Sequence, residues 1–184
     1  MNILVVGSGG REHAICLALA KSPRKPKLFC APGNAGIEGV AERVPVGAED
    51  IPKLVAWVRG HKPDLVVVGP EVPLALGLTD ELEALGVLVF GPSKAAAQVE
   101  ASKDFTKQLL FDNHIPTALS ETFTDASQAL AYLKSHGAPV VIKADGLAAG
   151  KGVTVCLKLD EALQAVEEAM TSKVFGEAGN RVVI

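Results

Sequence analysis

The chain has 184 residues, of which 48% are hydrophobic and 21% charged, and its formal net charge is −3. This composition predicts a globular protein with a sizeable core and argues against intrinsic disorder. The negative balance, with a single Trp and a single Tyr, argues against a nucleic-acid-binding surface, which needs basic and stacking side chains. The three cysteines are far apart in apolar stretches, which is typical of buried thiols in a reducing compartment rather than of a disulfide or zinc framework: Cys16, Cys30 and Cys156.

The N-terminus reads MNILVVGSGGREH and has no basic segment before its short apolar run, so it does not have the pattern of a signal peptide. No stretch approaches the ~20 successive apolar residues that a membrane-spanning helix needs. We therefore expect a cytoplasmic protein that has neither a membrane nor a nucleic acid as partner.

Short β-branched segments alternate with helical patterns in the first part of the chain. Strands are predicted at 3–7, 27–31, 65–69 and 87–91, and helices at 11–21, 50–60 and 74–84. Because these strands are apolar on both faces, the alternation predicts parallel strands covered by helices, which is a doubly wound α/β sheet. We expect residues 1–102 to form this domain.

The pattern changes after residue 102. Helical sequence with a break near Ala101 and Ser102 precedes a strand at 117–123, a helix at 125–135 capped by Thr124 or Asp125, strand-like segments at 139–143 and 153–157, a helix at 160–170 and a strand at 181–184. We expect a second domain at 103–184. Since Ile184 closes an apolar run without a turn residue or cap, we also expect the sequence to be part of a longer chain.

The first glycine-rich loop, GSGGREH, follows a predicted strand and opens a predicted helix, where backbone N–H groups can bind an anion. It lacks the dinucleotide fingerprint G-x-G-x-x-G, because Glu12 stands where the third glycine belongs and the next strand ends in Cys30 rather than an acidic residue. Arg11 is suited to a phosphate, and Glu12 to a ribose hydroxyl or an amine. Spacing alone leaves open a simple turn with surface charges.

Two further loops follow the second and third predicted strands, with the sequences APGNAG and GPEVPL. Because the carboxyl ends of parallel strands meet at one edge of a sheet, these loops converge on one crevice. We therefore expect the following residues to line the same pocket as Arg11: Asn34, Gly69, Pro70 and Glu71.

The second glycine-rich loop lies in VIKADGLAAGKGV, residues 141–153. It is not a Walker A loop, because only three residues separate Gly146 from Gly150 and Gly152 follows Lys151. Strand-like sequence on both sides predicts an antiparallel hairpin with a glycine tip that can fold over a triphosphate, and Lys143 on the first strand offers a charge to the phosphates. An ordinary glycine-rich hairpin with solvent-facing lysines remains the alternative.

Several motifs together resemble one known family. The run PVVIKADGLAAGKGV, preceded by ASKDFTKQLL and IPTA, resembles the nucleotide-binding part of the ATP-grasp superfamily. With VVGSGGREHA, APGNAG, VVGPEVPLALGL and GPSKAAAQVEASKDFTK, in this order, nearly the whole chain resembles the N-terminal portion of the phosphoribosylamine–glycine ligase (glycinamide ribonucleotide synthetase) family.

The resemblance implies a doubly wound parallel-sheet N-terminal domain followed by the start of an ATP-grasp domain, with 139–184 beginning the flexible subdomain that covers the nucleotide. It implies ATP-dependent joining of glycine to 5-phosphoribosylamine through glycyl phosphate in purine biosynthesis. ATP and Mg²⁺ (or Mn²⁺) are the implied cofactors, with the metal ligands beyond residue 184 and none in this chain. A monomer is implied for the full-length enzyme, and we expect the 184-residue chain alone to be inactive.

The family's functional positions carry over to two sets of residues. The ATP-binding set is Lys103, Lys143, Gly146, Gly150, Lys151 and Gly152, and the substrate-binding set is Gly9, Gly10, Arg11, Asn34 and Glu71. No catalytic residue is assigned. Two alternatives remain, a non-catalytic phosphoribosyl-binding module and a dinucleotide-dependent oxidoreductase; Glu12 and Cys30 disfavour the second.

Overall fold

The structure is a computed structural model that describes residues 1–148 and 151–184. It consists of two compact units, Met1–Ala97 and Gln98–Ile184. No helix formed by the described residues is both long enough and apolar enough to cross a bilayer.

The first unit contains five parallel strands in the order β3-β2-β1-β4-β5. The strands are β1 (Asn2–Gly7), β2 (Lys27–Pro32), β3 (Glu42–Arg43), β4 (Leu65–Val68) and β5 (Val89–Phe90). The helices are α1 (Gly10–Ala20), α2 (Ile51–His61), α3 (Glu71–Leu76), α4 (Leu78–Glu83) and α5 (Lys94–Ala101), the last of which contains the division between the units, and a 3₁₀ turn spans Ala35–Gly39. The predicted doubly wound parallel sheet is confirmed.

Alternate residues of β1 enter the two cores that cover the sheet. Leu4 and Val6 pack in the cluster that includes Leu54 of α2 and Leu78 of α4. Ile3 and Val5 pack on the other face with a cluster that contains Cys16, Cys30 and Ile37. Burial of each such Leu, Ile or Val contributes roughly 1.5–3 kcal/mol. All three cysteines are buried and none forms a disulfide, as the sequence predicts.

The single helix predicted at 74–84 is wrong, because two short helices occupy this region. Gly77 has a φ of +95° and ends α3 in the left-handed conformation that glycine adopts at little cost. The apolar periodicity continues across Gly77, which is why the sequence pattern looks like one helix. The sequence also gives no indication of β3 or of the 3₁₀ turn at 35–39, which are too short to carry a period.

The second unit contains four antiparallel strands in the order β6-β9-β7-β8. The strands are β6 (Thr122–Phe123), β7 (Val140–Ala144), β8 (Val153–Cys156) and β9 (Val182–Val183). The helices are α6 (Lys103–Asp112), α7 (Ala126–His136) and α8 (Leu159–Val166), which continues as a π-helical turn at Glu167–Thr171. The predicted antiparallel hairpin is confirmed as β7–β8, in which Lys143 pairs with Val153.

Capping residues set the limits of α6 and α7. The Ser102 hydroxyl accepts a hydrogen bond from Phe105 N at 3.1 Å, which explains the predicted break after Ala101. The Asp125 carboxylate accepts from Gln128 N at 3.0 Å, so Asp125 rather than Thr124 caps α7.

The two faces of the second sheet differ. Ile142, Cys156 and Val182 pack with residues of α7 and α8 in one apolar core. Because side chains alternate along a strand, Lys143 and its cross-strand neighbour Val153 lie on the opposite face. Val155 is on that face too and is 67% exposed. The sheet therefore holds Lys143 away from the apolar core.

Candidate functional site

Three loops of the first unit are tied side by side at the carboxyl ends of β1, β2 and β4. Gly33 N donates to Gly7 O at 3.1 Å, and Gly69 N donates to Val6 O at 3.0 Å. Asn34 Nδ2 donates to Ser8 O at 2.8 Å. The structure thus brings together the loops that carry Arg11, Asn34 and Glu71, as the parallel-strand rule predicts.

These loops lie where the strand order reverses. From β1 the chain proceeds to β2 and β3 on one side, whereas β4 and β5 lie on the other. In open α/β sheets, ligands bind in the crevice outside the strands at this position. Gly9 and the first residues of α1, Gly10 and Arg11, follow β1, and Glu71 at the start of α3 follows β4, so these residues lie at the usual ligand position of the fold. Asn34 follows β2, the neighbouring strand.

Glu12 is buried at this position, with a relative exposure of 3%. Its Oε2 accepts from Gly9 N at 2.7 Å, and its Oε1 accepts from Arg11 Nε at 2.9 Å. A Cβ at Gly69 would lie 2.7 Å from Glu12 Cδ, and a Cβ at Gly7 would lie 2.6 Å from it, so these two glycines make room for the carboxylate. Glu12 is therefore not the surface charge that one interpretation of the loop predicted; it caps α1 and orients Arg11.

Arg11 is held between two carboxylates. Its Nε donates to Glu12, and its Nη2 lies 3.5 Å from Glu71 Oε2. The hydrogen bond to Glu12 raises the pKa of Arg11 above its usual value, so the guanidinium stays charged. The side chain is still 57% exposed, which leaves it accessible to an anionic ligand. Because the Glu12 carboxylate fills the space between the ends of β1 and β4, a dinucleotide pyrophosphate would meet a buried negative charge there.

The two predicted glycines of this loop differ in their surroundings. Gly9 is the N-cap of α1, and a Cβ there would lie 3.0 Å from Glu12 Oε2. A Cβ at Gly10 would meet no atom within 4 Å. A side chain at position 9 would therefore press on the Glu12 carboxylate, whereas one at position 10 would not.

In the second unit, the structure brings Lys103 to the base of the glycine-rich loop. Lys103 is the first residue of α6, and its Nζ donates to Gly146 O at 3.1 Å. Gly146 has a φ of +150°, and a Cβ there would lie 2.9 Å from Ala178 Cβ, so no other residue fits without displacement. The two residues are 43 positions apart in the chain, and this hydrogen bond joins them at the base of the loop.

A third lysine, Lys107, lies on α6 one turn after Lys103. Lys107 Nζ donates to Thr117 Oγ1 at 2.8 Å and to Ala118 O at 2.7 Å. Burial lowers the pKa of Lys107, and the neighbouring charge of Lys143 lowers it further. The sequence interpretation missed Lys107, although its i, i+4 spacing from Lys103 places both on one face of α6. Two positive charges on one face of α6 favour an anionic ligand there.

The remaining loop residues close the base of the β7–β8 hairpin. Ala144 N donates to Gly152 O at 2.8 Å, and Lys151 N donates to Ala148 O at 2.9 Å. A Cβ at Gly152 would lie 2.8 Å from Ala148 Cβ, so this position also requires a glycine. The Lys151 side chain is exposed. Gly150 lies outside the described residues.

The sequence interpretation also missed Asp145, the residue between β7 and Gly146. Its side chain is 7% exposed and contacts the first turn of α6. No local pattern points to this contact, because its partners lie more than forty positions away. Within 1–148 and 151–184, no group of three or more His, Cys, Asp or Glu side chains is placed to bind a metal ion.

Comparison with protein families gives two adjacent matches. Residues 1–100 match the family described as phosphoribosylglycinamide synthetase, N domain, and residues 101–184 match its ATP-grasp (A) domain. The chain belongs to the phosphoribosylglycinamide synthetase family. The loop cluster around Arg11 lies in the N domain of this family, and the lysines around the glycine-rich loop lie in its A domain.

Individual relatives agree with this assignment. The chain is 54% identical over 186 aligned positions to the phosphoribosylamine–glycine ligase of Pasteurella multocida, and the match covers 100% of the chain and 43% of the relative. The crystal structure of the Thermotoga maritima phosphoribosylamine–glycine ligase superposes with a TM-score of 0.78 at 28% identity, covering 100% of this chain and 43% of the other. The chain thus spans less than half the length of these relatives.

A more distant structure shares the fold alone. The biotin carboxylase domain of Hydrogenobacter thermophilus 2-oxoglutarate carboxylase, determined with MgADP and bicarbonate, superposes with a TM-score of 0.77 at 18% identity. The match covers 99% of this chain and 43% of that domain.

Proposed function

We propose that the chain is the amino-terminal part of a ligase that joins glycine to 5-phosphoribosylamine at the expense of ATP, giving glycinamide ribonucleotide, ADP and phosphate in purine biosynthesis. One observation carries the proposal: the whole chain is 54% identical to a phosphoribosylamine–glycine ligase. Because the chain covers 43% of that relative, the activity is assigned to a complete ligase of the relatives' length. We assign this ligase to the cytoplasm, as a monomer with small-molecule substrates only.

The proposed reaction has two steps. An oxygen of the glycine carboxylate attacks the γ-phosphorus of ATP, the bond from the γ-phosphorus to the ADP oxygen breaks, and glycyl phosphate forms. The phosphoribosylamine nitrogen then attacks the carbonyl carbon, loses a proton, and phosphate leaves with one of the glycine oxygens. The first step needs cations beside the developing phosphate charge, and the second needs protection of the acyl phosphate from water.

We assign the phosphate contacts to the second unit, in a domain proposed to span 103–184. Lys103 and Lys143 supply positive charge, which the position of Lys103 Nζ at the loop base supports. Gly146, Gly150, Lys151 and Gly152 belong to the proposed cover, which begins the subdomain at 139–184. Gly146 and Gly152 both lie at the base of the hairpin, where a Cβ would come within 3.0 Å of Ala178 or Ala148.

The sugar-phosphate contacts are assigned to the first unit, in a domain proposed to span 1–102. Arg11 and the first N–H groups of α1, beginning at Gly10, are the proposed partners of the 5-phosphate. Gly9 is proposed to line the same turn, while its own N–H donates to Glu12. Asn34 and the half-buried Glu71 carboxylate are the proposed partners of the ribose hydroxyls and the amine. The exposure of Arg11 at the strand-order reversal supports this assignment.

The metal ion that accompanies ATP is assigned outside this chain. Mg²⁺ binds oxygen ligands, usually one or two carboxylates together with the substrate phosphates. The resemblance to the family, and no feature of residues 1–148 and 151–184, is the reason for this assignment. The proposal therefore places the metal-binding carboxylates in the part of the ligase that this chain does not contain.

The complete ligase is expected to form ADP only when glycine and 5-phosphoribosylamine are both present, and to yield glycinamide ribonucleotide in equal amount. Coupled ADP detection with mass analysis of the product measures this. The 184-residue chain is the control and is expected to form no glycine-dependent ADP. A complete protein that binds the sugar phosphate without turnover would instead be a binding module, and the ligase proposal would be wrong.

Replacement of Arg11 by Ala is expected to weaken ribose 5-phosphate binding by about 1.5 to 3 kcal/mol, the contribution of a charge-assisted hydrogen bond. Titration calorimetry on the 184-residue chain measures the change. Arg24→Ala is the matched control, because Arg24 is exposed and lies in the turn after α1. Equal affinities of Arg11→Ala and the parent would remove Arg11 from the proposed phosphate site.

A further inference from the structure

Asp145 links the end of β7 to the start of α6. Its Oδ1 accepts from Lys103 N at 2.5 Å and from Asp104 N at 3.1 Å. The Ser102 hydroxyl lies 3.2 Å from Oδ1 and 3.1 Å from Oδ2. The Asp145 backbone N donates to Arg181 O at 2.9 Å, and Arg181 Nη1 lies 3.4 Å from Oδ2. The carboxylate is thus buried and bonded to two distant segments of the chain.

These contacts do more than complete an ordinary helix cap. Ser102 already caps α6 by accepting from Phe105 N. Asp145 accepts hydrogen bonds from the two N–H groups that precede Phe105 N, those of Lys103 and Asp104. No carbonyl of the same helix can accept from these two groups. By contrast, α7 is capped by its own Asp125, which contacts only residues of the same turn.

The consequence is geometric. Asp145 holds the backbone of Lys103, and the next residue, Gly146, accepts from the Lys103 ammonium through its carbonyl at 3.1 Å. Asp145 does not form an ion pair with the Lys103 ammonium, so that charge is directed to the loop base. Arg181 supports the carboxylate from the other side, and it also donates to Asp104 Oδ2 at 2.8 Å. The start of α6 and the base of the glycine-rich loop therefore form one bonded assembly.

We propose that Asp145 is a positioning residue that holds the Lys103 ammonium at the base of the glycine-rich loop, where it meets the phosphates of ATP. The inference rests on the proposed function, because it takes from it the role of Lys103 toward ATP. Asp145 does not touch ATP; it acts through Lys103.

The test is a double-mutant cycle in the complete ligase. Asp145→Asn keeps the shape of the side chain and removes its charge. It is expected to lower kcat/KM for ATP by about tenfold or more, as loss of a charge-assisted hydrogen-bond set does. In a Lys103→Met background the same substitution is expected to change kcat/KM by less than about twofold, because residues that act through one another are not additive. Equal losses in both backgrounds would reduce Asp145 to a structural cap and overturn the inference.

Asp125→Asn is the matched control, since it neutralises another helix-capping aspartate with no contact to the loop. It is expected to keep the parental kcat/KM for ATP. Parental values for Asp145→Asn, or an equal loss for Asp125→Asn, would contradict the inference.

A second measurement separates this inference from the proposed function. Hydrogen exchange at the Lys103 and Asp104 amides is expected to be faster in Asp145→Asn than in the parent, whether or not the protein turns over ATP. If the parent forms no glycine-dependent ADP, the proposed function is wrong, whereas faster exchange at these amides shows independently that the Asp145 carboxylate holds the backbone of Lys103, which the inference requires. Unchanged exchange overturns it.

Discussion

Replacement of Lys143 by Met in the complete ligase is expected to lower kcat/KM for ATP by about 100- to 1000-fold, the usual effect of removing one donor from developing negative charge. Lys143 lies in the centre strand pair, between Val153 and Val183, on the face opposite the apolar core. Met keeps most of the length of the side chain there, so the fold is expected to persist. Initial rates of ADP formation at varied ATP measure the effect.

Lys134→Met is the control for charge alone, because Lys134 is an exposed lysine in the last turn of α7. It is expected to retain the parental rate. If kcat/KM for ATP in Lys143→Met stayed within about threefold of the parental value, Lys143 would not make a phosphate contact of the expected strength. An equal loss in Lys134→Met would attribute the effect to net charge instead.

Replacement of Gly69 by Ala is expected to destabilise the first unit by about 1 to 3 kcal/mol, as overpacking of a well-packed interior does. The new Cβ would lie 2.7 Å from Glu12 Cδ and 2.8 Å from Glu12 Cγ. The Glu12 carboxylate cannot move without breaking its hydrogen bonds to Gly9 N and Arg11 Nε. Urea unfolding followed by the fluorescence of Trp57, the single Trp of the chain, reports on this unit.

Two variants isolate the cause of the Gly69→Ala effect. Gly39→Ala places a Cβ where no atom lies within 4 Å, and it is expected to change stability by less than about 0.5 kcal/mol. In a Glu12→Ala background, Gly69→Ala is expected to cost less than in the parent, because the obstructing carboxylate is gone. An additive cost in that background would show that Glu12 is not the group that Gly69 accommodates.

Much of the fold follows from local patterns. Val-rich segments that are apolar on both faces indicate strands covered by helices, and β1 and β4 have this environment. Strand–glycine–strand sequence predicts the β7–β8 hairpin without reference to the rest of the chain. The break at Gly77 does not follow, because the apolar period continues through it and only the left-handed backbone conformation separates α3 from α4.

In the candidate sites, too, some features follow from the sequence pattern and others do not. The convergence of Arg11 and Glu71 follows from the rule that parallel strands end at one edge, and the two side chains form an ion pair at 3.5 Å. The burial of Glu12 does not follow, because its position in the first turn of α1 is equally compatible with solvent. This burial depends on Gly7 and Gly69, whose lack of a Cβ leaves room for the Glu12 side chain.

Contacts between residues that are far apart in the sequence could not be predicted from local patterns. The hydrogen bond from Lys103 N to Asp145 joins residues 42 positions apart, and neither residue's neighbours predict it. Lys107 could have been found from its spacing to Lys103, but its hydrogen bonds to Thr117 and Ala118 depend on how the chain after α6 folds back.

The most direct test of the central claim is the fate of oxygen in the complete ligase. Glycine labelled with ¹⁸O in its carboxylate is supplied with ATP and 5-phosphoribosylamine, and the released phosphate is analysed by mass spectrometry. If glycyl phosphate forms, each phosphate carries one oxygen from glycine, because the carboxylate oxygen that attacked phosphorus leaves with it. Phosphate without label would contradict the account, since ATP cleavage would then not pass through the glycine carboxylate.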